Sequence, residues 1–337
     1  MERIQAIEAW LRASQGLTDF ELRPASSDAS FRRYFRISYD GQTRIVMDAP
    51  PDKEDSQAYI HVSGLLGKLG LNVPEVLAVD AGQGFLLLTD LGSRCYLDEL
   101  NVDSVERLYG DALGALMVIQ ACGPRDHAGE THLPPYDAAL LHQEMQLFRQ
   151  WFLDQQLKTP ANTAQNDMLD EVFTLLTASA LEQPQVMVHR DYHSRNLMLR
   201  DSNNPGILDF QDAVIGPVTY DLVSLLRDCY VAWPDALVQD WVLGYHELAT
   251  QSGVLRGHSE AQFLRWFDLM GVQRHLKATG IFARLHIRDN KPSFLKDIPR
   301  TLGYVLEVSG RYPELAAFHE YLHELFDSAA IQSLEKV

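Results

Sequence analysis

Apolar positions change their period twice along the chain. In residues 2–11, Ile4, Ile7, Trp10 and Leu11 share one face of a helical wheel with acids between them, which predicts an amphipathic helix. From there to about residue 90 the apolar residues come in short runs, at 21–24, 31–38, 43–47, 76–79 and 85–89. The turn-rich stretches 26–30, 39–42 and 80–84 separate these runs, which predicts antiparallel strands. One helix interrupts them at about 54–69, with Tyr59, Val62, Leu65, Leu66 and Leu69 on its apolar side. A small, mostly antiparallel sheet with one inserted helix is expected here.

From Ser104 onward the helical period dominates. It is carried by Leu108, Ala112, Leu116 and Ile119, then by 140–157, 168–181, 220–233, 236–250 and 262–285. One island, 186–212, breaks it with apolar triplets flanking polar clusters. Within the island Asn203-Asn-Pro-Gly predicts a tight turn. If 196–200 pairs with 206–209 across that turn, opposed residues sum to about 405, which sets Asn196 beside Asp209.

With 337 residues, 46% of them apolar, there is material for one large domain or two ordinary ones, and disordered or disulfide-stapled classes are excluded. The formal charge of −17 opposes binding to nucleic acid or to anionic membranes. An anionic ligand therefore needs local donors or a metal. Cys95, Cys122 and Cys229 are odd in number and far apart, the pattern of free thiols in a reducing compartment. The N-terminus has no apolar export region and no run approaches a membrane span, so a cytoplasmic, soluble protein is expected, as a monomer.

His189-Arg190-Asp191 followed by Asn196 has the spacing of a kinase catalytic loop, and Asp209-Phe210 stands where that template puts a metal-binding Asp. The chemistry asks for each type: a carboxylate to accept a hydroxyl proton, and a carboxamide and a second carboxylate to hold Mg²⁺ on the phosphates of ATP. A polar turn that merely caps backbone groups accounts for one or two of these residues, not the ordered set. His189, Asp191 and His193 could alternatively ligate the metal of a hydrolase, but that leaves Asn196 and Asp209 without roles.

These residues, with Ile207-Leu-Asp-Phe-Gln-Asp-Ala, Gly216-Pro and Tyr220-Asp-Leu, resemble the aminoglycoside phosphotransferase and choline kinase-like family over nearly the whole length. The resemblance implies an α+β, protein-kinase-like bilobal fold. A small antiparallel-sheet N-lobe over residues 1–91 would bind nucleotide, and a larger, mainly helical C-lobe over 92–337 would carry the catalytic loop and the sugar site. It implies Asp191 as base, Asn196 and Asp209 as metal ligands, and ATP and Mg²⁺ as cofactors. Asp221 would brace the loop from a helix start, or simply cap that helix. A narrower likeness in Ser27-Asp-Ala-Ser-Phe-Arg-Arg-Tyr-Phe-Arg-Ile, Val46-Met-Asp-Ala-Pro-Pro and Leu88-Thr-Asp-Leu-Gly is to bacterial kinases of cell-wall recycling. It implies phosphoryl transfer to the anomeric hydroxyl of a small amino sugar. An aminoglycoside or another small alcohol is the alternative acceptor.

Beside that likeness, Ser27, Ser30 and Arg32 become expected phosphate contacts, although the segment lacks the glycines of a G-x-G-x-x-G loop and otherwise reads as a hairpin turn. The backbone of Thr89, Asp90 and Leu91, at the junction of the lobes, is the expected adenine contact. Met47 stands where kinases place a lysine on the third strand, so Arg32, Arg33, Arg44, Lys53 or the metal must take over that charge. Arg195, inside the catalytic loop, is the expected partner of a substrate carboxylate.

Overall fold

Alternation of apolar residues along the early strands, and a helix able to cover one side of them, produce a five-stranded antiparallel sheet in the computed structural model. The structure describes residues 2–26, 31–124, 133–327, 331 and 334. After α1 (Glu2–Gln15) come β1 (Glu21–Ser26), β2 (Arg33–Tyr39), β3 (Gln42–Asp48), α2 (Ser56–Lys68), β4 (Val76–Asp80) and β5 (Phe85–Thr89). The strand order is β1-β2-β3-β5-β4. Phe35, Ile37, Val46, Phe85 and Leu87 lie on one face and bury Ile7, Trp10 and Leu11 of α1. Met47 falls on the opposite face by the two-residue period and is buried there. At the end of β3, the fully buried Asp48 carboxylate is clamped by Arg3, whose Nε lies at 2.8 Å, and Arg33, whose Nε lies at 3.0 Å. Arg33 is thus committed to the fold.

This first unit, Met1–Glu99, also includes Leu197–Asp212. The latter segment forms a short hairpin in which Leu197 faces Ile207 and Met198 faces Gly206. The Ile207 amide donates to the Asn72 carbonyl and the Leu199 amide to the Arg94 carbonyl, so the hairpin is tied to the sheet side of the chain. Opposed residues sum to 404 rather than about 405, and the ladder stops at Leu197 and Ile207. Strand pairing therefore does not itself bring Asn196 and Asp209 into register. The chain leaves the ladder through a left-handed Asp209, φ +63°, which no sum rule anticipates.

The second unit, Leu100–Asn196 with Ala213–Val337, is helical. It contains α3 (Val105–Cys122), α4 (Ala138–Leu147) running into a π-helical stretch (Phe148–Leu157), and α5 (Thr163–Leu181). A two-stranded pair follows, β6 (Gln185–Val188) with β7 (Val214–Pro217), and then α6 (Tyr220–Leu226) and α7 (Asp235–Gln251). The last helices are α8 (Glu260–Asp289), α9 (Ile298–Ser309) and α10 (Ala316–Phe326). The 30-residue α8 is buried nearly all round, as a central helix must be. Its Leu269, Val272, Leu276 and Ala283 join Phe148, Phe152, Phe173 and Leu302 in the main core.

Two helical expectations need correction. α5 starts five residues before Met168, because an Asn162/Gln165 capping box closes it. α6 ends at Leu226 rather than running to Trp233, because the Asp228 side chain accepts from the amides of Ser194 and Tyr230, at 2.9 Å each, and so draws the chain out of the helix.

α8 approaches the end of α4 closely at Gly280, where an added Cβ would lie 2.3 Å from the carbonyl carbon of Leu147. Gly280→Ala is expected to destabilise the protein by about 1–3 kcal/mol through overpacking, read as a fall in the urea midpoint. An unchanged midpoint would contradict this packing.

Candidate active site

The second unit builds the catalytic loop on β6. Immediately after Val188 the strand runs into His189 and Arg190, the latter in the left-handed region at φ +77°. This conformation is uncommon for a side chain of that size. Two devices sustain it. The buried Asp221 carboxylate, in the first turn of α6, accepts the His189 amide at 2.6 Å and the Arg190 amide at 2.9 Å. The Arg190 guanidinium pairs with Glu144 of α4, which also meets Lys277 Nζ at 2.9 Å and the Tyr136 hydroxyl. Asp221 is therefore a brace rather than the cap of its own helix, whose N-terminus shows no side-chain cap.

Beyond Arg190 the loop closes on itself. The His193 amide donates to the Asp191 carbonyl at 3.0 Å, and the Asn196 amide to the His193 carbonyl at 2.9 Å. Asn196 Nδ2 donates to the Asp191 carbonyl at 3.0 Å, which identifies the nitrogen end of that carboxamide. Asp191, Arg195 and Asn196 thus belong to one rigid turn, with Asp228 pinning its middle through the Ser194 amide.

Charge around Asp191 favours the carboxylate. Burial by itself would raise its pKa, but Lys277, His193, Arg190 and Arg274 outweigh that and hold it below the usual range. Asp221 goes the other way: burial pushes it up to about 7 despite its two amide donors, and neighbouring Asp191 adds to the rise. Burial lowers the pKa of His193. The His189 ring is buried, and its Nδ1 accepts the Asp191 amide at 3.2 Å. Among the described residues no three His, Cys, Asp or Glu side chains form a metal-binding cluster, so His189, Asp191 and His193 do not make one.

The first unit holds the remaining expected residues. Asp209 Oδ1 accepts from Gln211 Nε2 at 2.8 Å. The phenol of Tyr59 is raised first by burial and then by Asp209, while Arg32 opposes the rise, so both charges act on one buried hydroxyl. Arg32 is buried and pairs with Glu54 at 2.8 Å. Glu54 therefore does more than favour the α2 dipole, and Asp55 is that helix's cap. At the end of β5, the Thr89 amide donates to the Glu75 carbonyl, and the Leu91 carbonyl accepts from Arg200 at 3.0 Å. Asp90 is held by Arg36 at 2.6 and 3.0 Å. Ser27 and Ser30 lie outside the described residues.

Residues 21–264 match the model of the Phosphotransferase enzyme family. The chain belongs to this family. It is 45% identical over 336 residues to the N-acetylmuramate/N-acetylglucosamine kinase of Pseudomonas putida, covering 96% of each chain. To the protein of the same name from Pseudomonas aeruginosa it is 48% identical over 305 residues, covering 90% of this chain and 88% of the other. Among solved structures, an ADP-bound aminoglycoside phosphotransferase superposes with a TM-score of 0.60 at 16% identity, over 89% of this chain and 97% of that one. The choline kinase LicA from Streptococcus pneumoniae gives 0.61 at 11% identity, over 91% and 100%. These likenesses establish the protein-kinase-like fold expected from the sequence, and the family makes the chain a phosphotransferase.

Glu144, Lys277 and Asp228 are the residues that sequence reasoning passed over. Each sits in a helix or helix end with an ordinary apolar period, and a buried polar residue there has no local signature.

Asp221→Asn leaves one carbonyl oxygen for two amide donors and is expected to cost about 1–3 kcal/mol in urea unfolding at pH 5. Asp221 has a folded pKa of about 7, above its unfolded value, so the wild type loses this group's contribution as pH rises from about 4 to 7. The variant has no such loss. The stability gap should therefore shrink between pH 5 and pH 8, and a widening gap would contradict the assignment.

Proposed function

We propose that the chain transfers the γ-phosphoryl group of ATP to the anomeric hydroxyl of N-acetylmuramate and N-acetylglucosamine, giving the sugar 1-phosphate during recycling of cell-wall sugars. The observation that carries this reading is an ionised Asp191 on a braced kinase-type loop, in a chain whose relatives of that name match it nearly end to end. Support for the acceptor comes from those relatives, and support for the chemistry comes from the loop.

Asp191 accepts the proton of the acceptor hydroxyl. An anomeric hydroxyl is more acidic than its neighbours, so a carboxylate suffices as base. The carboxamide of Asn196 and the carboxylate of Asp209 would hold Mg²⁺. Both are hard oxygen donors, and two protein ligands suit an ion whose other positions go to phosphate oxygens and water. When bound, the ion neutralises charge on the phosphates. Arg32, steadied by Glu54, supplies the cation that Met47 does not, and Ser27 and Ser30 remain assigned to the same phosphates. Adenine meets the backbone at 89–91. Among the described residues, the Asp90 carbonyl and the Leu91 amide have no backbone partner. Free Cys95, Cys122 and Cys229 support a cytoplasmic location, and the protein is assigned as a monomer. No helix among the described residues is long and apolar enough to cross a membrane.

ADP release measured with a panel of amino sugars and aminoglycosides tests the acceptor, with phosphorus NMR on the product. An acid-labile phosphate coupled to H1 is expected from both named sugars. Turnover of an aminoglycoside alone would overturn the assignment. Asp191→Asn should lower kcat by about 10²- to 10⁴-fold with a smaller change in the KM for ATP, and a variant that keeps most of its turnover would remove Asp191 from the role of base. Asp209→Ala should weaken Mg·ATP binding in a titration, and unchanged affinity would count against it as a ligand.

A further inference from the structure

Four cationic side chains are buried among the described residues: Arg32, Arg227, Lys277 and Arg274. The first three each have a carboxylate at 2.8 or 2.9 Å, on Glu54, Asp268 and Glu144 respectively. Arg274 is the exception. No carboxylate of the described residues comes within 4.0 Å of it, its Nε has no hydrogen-bond partner, and its Nη1 has only the Cys229 sulfur at 3.6 Å. The carboxylates that act on it, Asp191 and Asp228, stand beyond 4.0 Å, so its Nε is left for a ligand to satisfy.

The surroundings of Arg274 lead back to the catalytic loop. Cys229 sits between Asp228, which accepts the Ser194 amide of that loop, and Tyr230. The Tyr230 ring carries the guanidinium of Arg195 at 4.8 Å and the edge of the His193 ring at 5.3 Å. Arg195 is exposed, lies also over Phe294 at 5.6 Å, and likewise has no carboxylate within 4.0 Å among the described residues. Both Asp228 oxygens accept backbone amides, so that carboxylate is already occupied. A buried guanidinium against Cys229 and an exposed one over Tyr230 therefore meet neighbouring residues beside the catalytic loop.

We propose that Arg274, with Arg195 at the mouth, binds the carboxylate of the lactyl group that distinguishes N-acetylmuramate from N-acetylglucosamine. The inference rests on the acceptor reading above. Planar, permanently charged guanidinium groups match a carboxylate in two-bond geometry. The subsite would give an anionic sugar local cationic contacts in a protein whose overall charge of −17 repels anions. Here Arg195 is a binding residue rather than a participant in the chemical step.

The test compares kcat/KM for the two sugars in wild type, Arg274→Met, Arg274→Lys and Arg195→Met, with the methyl ester of N-acetylmuramate as a third acceptor. The ratio between sugars does not depend on the fraction of enzyme that is folded. Arg274→Met is expected to lower kcat/KM for both sugars, because a cation near Asp191 is lost, but by about 10²-fold more for N-acetylmuramate than for N-acetylglucosamine. Arg274→Lys should recover part of the loss, Arg195→Met should show a smaller loss of the same kind, and the ester should be indifferent to all three. Equal losses on both sugars would overturn the subsite, because Arg274 would then serve the base or the phosphoryl group. Unchanged ratios would also overturn it. Wild-type protein that turns over neither sugar overturns the acceptor reading and the subsite together, which separates the two failures.

Discussion

One carboxylate, Asp221, determines the path of the catalytic loop. By accepting the amides of His189 and Arg190 it makes a left-handed Arg190 tolerable. That turn aims the Arg190 guanidinium at Glu144 and leaves Asp191 among cations that keep it charged. The brace is costly, since burial opposes the ionised form of Asp221. Asp191, by contrast, is held charged by the cations around it, so the two neighbouring acids are pushed in opposite directions.

The helical unit supplies this field from residues widely separated in sequence. Glu144 on α4, Lys277 and Arg274 on α8, and Asp228 just past α6 converge on a loop of eight residues, His189–Asn196. Glu144 pairs with both Arg190 and Lys277, and both cations still lower the pKa of Asp191.

Much of the fold was legible because period and turn chemistry agree. Alternation in 33–48 and 76–89 specified strands, and the apolar side of 54–69 specified the helix α2 between them. The motif residues Asp191 and Asn196 were legible as an ordered set, and the structure holds them in one turn. The end of α6 was not legible, since Tyr220 to Trp233 keeps a helical pattern and only the distant Ser194 amide reveals why Asp228 leaves it. The 404 register of the hairpin was missed by one residue because a turn's length, unlike its existence, is weakly encoded. Glu144 and Lys277 were unreadable for a deeper reason: the burial of a charged residue is a tertiary property.

The central claim is that Asp191 accepts the proton while Asn196 and Asp209 hold the metal of the nucleotide. A crystal grown with Mg²⁺ and a non-hydrolysable ATP analogue tests it most directly. The account predicts an ion coordinated by Asn196 Oδ1 and the Asp209 carboxylate, with the terminal phosphate facing Asp191. A triphosphate bound away from positions 191, 196 and 209 would contradict it.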